Sequence, residues 1–268
     1  NFTTSRVLSI MANPAPIERV ILEENPKVNK KVDYIVSDYD LKATNALEEL
    51  YEGKINVSHI QKLFSAGLLG VKMQRKMVPT KWSITAVDDS LSKMILREIK
   101  NYPELEEFLI FDDEYNGNHY QILFLPGEFN FEVMETEIPT TLDQPNRKLG
   151  FWRDYEGLFG RKTYATSVTG AYYANRLAVC EFLKKIKRQA KVVIFREISN
   201  EYYAPLGVGI LRELMRRALE KQPIKVESLQ EALKNINSRS KIGIEKFSEI
   251  SIILNNYGKQ KKLKEFFM

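Results

Sequence analysis

Three groups of carboxylates stand close enough along the chain to do chemistry together: Asp88 with Asp89, the run Asp112, Asp113 and Glu114, and Glu197 beside Arg196. Clustered carboxylates are how a nuclease holds Mg²⁺ or Mn²⁺, and those are the only cofactors these residues invite. Glu197, Asp88 and Asp89 are the catalytic candidates on that reading. The run at 112–114 precedes Asn116-Gly117 and reads rather as the solvated end of a hairpin. Glu197 leaves an apolar strand together with Arg196 and approaches Tyr202 and Tyr203, where a structural Arg/Glu pair is the competing account. No PD followed by E-x-K is present, and neither G-x-x-x-x-G-K-[ST] nor a strand followed by G-x-G-x-x-G occurs. ATP hydrolysis is therefore not expected, and whether the chain is an enzyme stays open.

Two further segments have the composition of phosphate and base contacts. VPTKWSITAVDD (78–89) reads as a hydroxyl-rich loop at a helix start, where Lys81 adds charge and Trp82 a stacking face; a capping loop with Trp82 in the core is the alternative. Arg75 and Lys76 just before it extend the same basic stretch. FWRDYEGLFGRKTY (151–164) interleaves Trp152, Tyr155, Phe159 and Tyr164 with Arg153, Arg161 and Lys162, as a single-strand stacking platform would, although core packing accounts for most of these aromatics. Arg161 and Lys162 are the members expected at the surface. With Arg196, these give the candidate DNA contacts Arg75, Lys76, Lys81, Trp82, Arg161, Lys162 and Arg196.

The stretch KQKKLKEFF (259–267) places Gln260, Leu263, Phe266 and Phe267 at the spacing Q-x-x-L-x-x-F-F. One tight helical turn throws the leucine and both phenylalanines to one side as an apolar plug, while the Gln260 amide serves a small polar pocket. The spacing resembles the peptide by which replication and repair proteins dock on the sliding clamp (PCNA). A short amphipathic helix packed on the chain's own core is the competing account.

Composition narrows the remaining classes. At 268 residues and 44% hydrophobic, the chain is that of an ordinary globular protein. No apolar run approaches the roughly 18 residues of a membrane span. A single cysteine, Cys180, excludes an internal disulfide or a cysteine-rich zinc site within these residues, and its apolar neighbours predict a buried, inert thiol. Only His59 and His119 are present, which disfavours a histidine metal site or a Ser/His/Asp triad. The net charge of +5 hides segregation: residues 101–157 carry 13 acids against 3 bases, and residues 158–268 carry 22 bases against 10 acids. A basic half suits a phosphate backbone, a solvated helical surface, or the acidic partner of a non-enzymatic adaptor that makes no DNA contact. The order of a secretory leader is missing, and Asn1 in place of Met points to a longer protein.

The elements that must position these residues read as follows. IERVIL (17–22) and YIVSDYD (34–40) are expected as strands, 41–53 and 56–67 as a helical hairpin with Asn56 as a cap, and GVKMQRKMV (70–78) as a strand closed by Pro79. A helix over 89–102, capped by Thr85 or Asp88, follows. Residues 106–115, 118–127 and 129–138, joined by Asn116-Gly117 and Pro126-Gly127, predict an antiparallel meander. Residues 142–170 read as an irregular loop. A helix over 171–189, a buried strand over 190–199, a helix over 206–221 and helices at 228–237 and 244–257 complete the chain. The class is α+β, an antiparallel meander with segregated helices: one domain over 1–257 with a sub-boundary near 140–170, and 258–268 as a flexible clamp-binding tail.

RKMVPTKWSITAVDDSLSK (75–93), YYAPLGVGILREL (202–214) and the terminal peptide together resemble the archaeal Nre family of DNA repair proteins, over the whole chain. That resemblance implies repair of damaged DNA coupled to the sliding clamp, in an archaeal cytoplasm. Members carry a cysteine-containing N-terminal segment for which these residues have no counterpart. The resemblance supplies no catalytic residues that map onto this chain.

Overall fold

The apolar periods of the chain resolve into two sets of helices that cover opposite faces of one sheet. The computed structural model describes residues 27–139, 149–202 and 207–259. Helices α1 (Lys30–Ser37), α2 (Ala43–Glu52), α3 (Val57–Ser65) and α4 (Thr80–Ile99) lead into strands β1 (Phe108–Tyr115), β2 (Asn118–Leu125), β3 (Asn130–Glu137) and β4 (Phe151–Glu156). Helix α5 (Gly170–Ile186), β5 (Lys191–Ile198), α6 (Gly209–Glu220), β6 (Ile224–Val226), α7 (Leu229–Asn237), α8 (Glu245–Ile250) and α9 (Ile252–Asn256) follow.

The six strands lie in the order β4-β3-β5-β2-β1-β6. All neighbours are antiparallel except β3 and β5, which run parallel in a register that sets Val133 beside Ile194. Successive side chains on a strand point to opposite faces, so the sheet sorts its apolar residues into two cores. Phe111, Ile122, Phe124, Val133 and Ile194 pack against residues of α1 to α6. Ile110, Leu123, Met134, Val193 and Phe195 pack against residues of α7, α8 and α9. Because both faces are covered, every residue of β2 is buried, its polar residues Asn118, His119 and Gln121 included.

Helix α4 buries Ile84, Val87, Leu91, Ile95 and Ile99, the i, i+3/i+4 stripe of an amphipathic helix, and leaves its other side to solvent. Truncating Leu91, with no exposed surface, would cost about 2–5 kcal/mol. Asn56 caps α3 by accepting from the Ser58 amide. Asn116 and Gly117 both have positive φ, the two-residue hairpin turn that Asn-Gly specifies.

The α+β class holds, with four differences in detail. The meander is interrupted: β5, from far along the chain, inserts between β2 and β3, so β3 meets β2 nowhere. Local turn signals report which strands exist, whereas neighbour choice is decided by the closed two-face core. Residues 34–37 are the end of α1 rather than a strand, while 17–22 lie outside the described residues. The expected strand at 70–78 is a 3₁₀ turn at Lys72–Gln74 within extended chain. The Arg75 guanidinium pins it there by donating to the carbonyls of Gly70, Val36 and Asp38. The hydroxyl-rich loop at 78–89 is instead the first half of α4, with Pro79 at its N-cap, so Thr85 and Asp88 are interior to the helix rather than its caps. Smaller departures follow: β4 lies inside the expected loop at 142–170, β6 has no counterpart among the expected strands, and the helix expected over 244–257 breaks at Ser251. Among the described residues no helix is long and apolar enough to cross a membrane.

Candidate nucleic-acid interface

The solvent side of α4 carries the exposed residues Lys81, Trp82, Lys93, Arg97 and Lys100, with Lys100 at the C-cap. At 100° per residue, Trp82, Lys93 and Lys100 fall within about 20° of one line along the helix, with Arg97 about 40° to the side. At 1.5 Å per residue the line runs about 27 Å from Trp82 to Lys100, roughly eight nucleotide steps of one strand. Trp82 is 64% exposed, so it does not serve the core. Lys76 precedes the helix and is also exposed, as is Lys162 in the loop after β4.

At the C-terminal end of this ridge lies a cleft of about 150 Å³ lined by Lys93, Arg97, Lys100, Phe159, Arg161, Glu156 and Arg176, with Leu96 and Gly160. Phe159 is 97% exposed at its edge. The loop that carries it is tied to α4 where Lys100 Nζ donates to the Leu158 carbonyl at 2.5 Å. Gly160 takes φ +73°, a left-handed conformation that lets the chain turn sharply after the phenylalanine.

The wall of the cleft is a buried charge network. Arg176 on α5 is 1% exposed and donates to Glu156 Oε2 at 2.9 Å, to Ser92 Oγ at 3.0 Å and to Asp89 Oδ1. A buried guanidinium is tolerated only when its donors are satisfied, and here α4, α5 and β4 each supply a piece of that arrangement. The carboxylates, Glu156 foremost, hold the Arg176 pKa above its ordinary value even though burial pulls the other way. Glu156 and the Tyr172 hydroxyl are both buried and act on each other. Burial first, and the charge of Glu156 next, drive the Tyr172 pKa up.

The residues expected from the sequence are dispersed. Asp88 and Asp89 are neighbours on α4 yet serve different partners. Asp88, fully buried, accepts from Arg212 Nη1 at 2.6 Å and Gln61 Nε2 at 3.1 Å. Burial lifts its pKa to about 6 against the opposing pull of Arg212. Asp89 pairs with Arg176 and with Lys93. Glu197, 2% exposed, lies on β5 and accepts from His119, Ser240 and the amides of Lys241 and Ile242. Its pKa is lowered because those donors, His119 first, outweigh burial. The three catalytic candidates therefore sit in separate ion pairs. Among the described residues no group of three or more His, Cys, Asp or Glu is arranged to hold a metal ion.

Arg196 is corrected as a DNA contact: it is 2% exposed and its guanidinium donates to Asn118 and Glu135 between the rings of Tyr120 and Tyr202. Arg75 is likewise occupied by three carbonyls, as described above. Arg161 is half-buried, paired with Asp154 at 2.9 Å and donating to the Tyr155 and Tyr164 carbonyls, so it shapes the cleft rather than standing free. The carboxylates at 112–114 are docked, not merely solvated: Asp113 meets Arg217 and Lys221, Glu114 meets Lys241, and Asp112 meets His119. Cys180 is buried, and burial raises its thiol pKa. Gln260, Leu263, Phe266 and Phe267 lie outside the described residues.

Lys93, Arg97 and Lys100 are not among the contacts expected from the sequence. Their signal was the K-x-x-x-R-x-x-K spacing, which on a helix collects three cations on one side.

Comparison with known proteins places the chain. Residues 1–142 match the family described as Archaeal Nre, N-terminal, and residues 156–266 match Archaeal Nre, C-terminal. Both segments contribute strands to the one sheet, β1 to β3 from the first and β5 and β6 from the second. The chain is 39% identical over 260 residues to the DNA repair protein NreB of Archaeoglobus fulgidus, covering 97% of this chain and 66% of that protein. It is 39% identical over 228 residues to NreA of the same organism, covering 85% of this chain and 57% of the relative. With NreA of Haloferax volcanii it shares 36% over 217 residues, covering 80% of this chain and 52% of the relative. The chain thus spans between about half and two thirds of the length of these relatives. No solved structure matches it. Matched over its N-terminal and C-terminal segments alike, the chain belongs to the archaeal Nre family.

Proposed function

We propose that this protein acts in DNA repair, contacts DNA through the basic and aromatic side of α4, and is brought to DNA by the sliding clamp through the peptide Gln260, Leu263, Phe266 and Phe267. Its relatives are named DNA repair proteins, which supports the process. The observation that carries the DNA contact is the alignment of exposed Trp82, Lys93 and Lys100 along one side of a helix, with exposed Phe159 at its end. Lysines spaced along a rigid rod neutralise successive phosphates, and the aromatic faces offer stacking to unpaired bases. Lys76, Lys81 and Lys162 add exposed charge around the same contact.

The clamp peptide begins four residues beyond α9, which ends at Asn256. A peptide of this kind acts by effective concentration: it holds the folded body near DNA, so a modest affinity for each partner suffices. Clamp co-elution of the full chain tests this part. Changing both Phe266 and Phe267 to Ala abolishes co-elution and leaves the far-ultraviolet circular dichroism unchanged; retained co-elution overturns it. Binding of a labelled duplex that weakens steeply with salt tests the DNA contact, and an absence of binding at low salt overturns that part alone.

A further inference from the structure

We propose that the cleft at the end of α4 receives a single unpaired nucleotide, with Phe159 stacking on its base and Lys93 and Lys100 holding the flanking phosphates. This deepens the DNA-contact reading and rests on it.

Four observations converge on one ligand. The cleft, about 150 Å³, is of a size for one nucleobase and too small for a base pair. Phe159 stands 97% exposed at its edge, a ring with no packing role in the free protein, which is the state of a stacking residue before its base arrives. Glu156 lines the cleft at 2% exposure with its Oε2 fixed by Arg176, so the wall behind the ring is a held ion pair. Lys93 and Lys100 frame the opening on the line that already suits a phosphate backbone. A pocket that takes one base needs that base out of the stack, so DNA with an unpaired nucleotide, for which the unstacking is already done, binds best.

The test uses the full chain with three probes: a matched duplex, the same duplex carrying one extrahelical 2-aminopurine, and the free 2-aminopurine deoxynucleotide. The expected result is tighter binding of the bulged duplex than of the matched one by about tenfold, with 2-aminopurine emission quenched on stacking. Phe159→Ala brings the bulged duplex down to the level of the matched one and removes the quenching. Phe159→Trp restores both preference and quenching. At the same concentration the free nucleotide is left unbound, because the strand's flanking phosphates are missing. Equal binding of bulged and matched duplex, or quenching that persists in Phe159→Ala, overturns the proposal while leaving the DNA contact standing. Quenching of the free nucleotide with none in the strand overturns it in favour of a nucleotide-binding site. Failure to bind either duplex overturns the DNA contact itself and this inference with it.

Discussion

His119 Nδ1 on β2 lies 2.8 Å from Glu197 Oε2 on β5, and its other ring nitrogen lies 3.1 Å from Asp112 on β1, so one imidazole bridges three strands. Burial alone would lower its pKa. The two carboxylates outweigh burial and raise it to about 9. The folded protein therefore holds a proton that the unfolded chain releases near 6.5. Stability from this bridge is fully present below the unfolded value and is lost as pH rises through about 9. The urea midpoint should fall between about pH 6.5 and about pH 9.5 in the native sequence, and much less in His119→Gln.

Arg176 and Glu156 are both 1% exposed in their side chains and meet at 2.9 Å. Removing one charge strands the other in the core. Glu156→Ala should lower stability by about 3–5 kcal/mol in chemical denaturation. Substituting both residues by apolar side chains of similar size should cost less than the single change.

Lys93→Ala and Lys100→Ala should each reduce the slope of log K against log salt for duplex binding by about 0.9, one phosphate contact apiece. Both side chains are exposed, so melting temperature should move little. Fluorescence anisotropy across a salt series reads both slope and affinity. Arg196→Ala, by contrast, should act on stability, since its guanidinium is held inside the protein.

Gly117→Ala should destabilise the fold although it changes one methyl group in a hairpin turn. Its φ is +68°, and a Cβ there would meet the Tyr202 backbone nitrogen at 2.2 Å. The combined strain and clash should exceed about 1 kcal/mol, read as a lowered thermal midpoint.

Elements with strong local signals were legible in the sequence. The Asn116-Gly117 hairpin, the capped α3 and the buried helix and strand around Cys180 and Val193 all follow from turn chemistry and periodicity. The expected strand at 70–78 failed because alternation there comes from lysines and methionines, and Met73 and Met77 face solvent. Ser, Thr and Asp between 83 and 92 concealed the first half of α4, because residues that favour caps sit here in its buried interior. Ser83 bonds to the Gln61 carbonyl, Ser92 to the Asp88 carbonyl and Asp88 to Arg212. Buried charge was the hardest feature to read. Arg176, Arg196 and Arg212 look like surface cations in sequence, and only the partners brought by distant elements show that they are interior. The exposed face of α4 was half legible: Lys81 and Trp82 stood out by type, whereas Lys93 and Lys100 needed the longer helix to join them.

The insertion of β5 between β2 and β3 has a consequence for biosynthesis. A ribosome that has completed β3 has made two strands that cannot pair with each other and must wait, each with an open edge, until residues up to Ile198 emerge. Sheet closure is thus a late, long-range event, and the nascent chain is most open to aggregation in that interval. A chain severed between its two family-matched segments would leave neither half with a complete sheet.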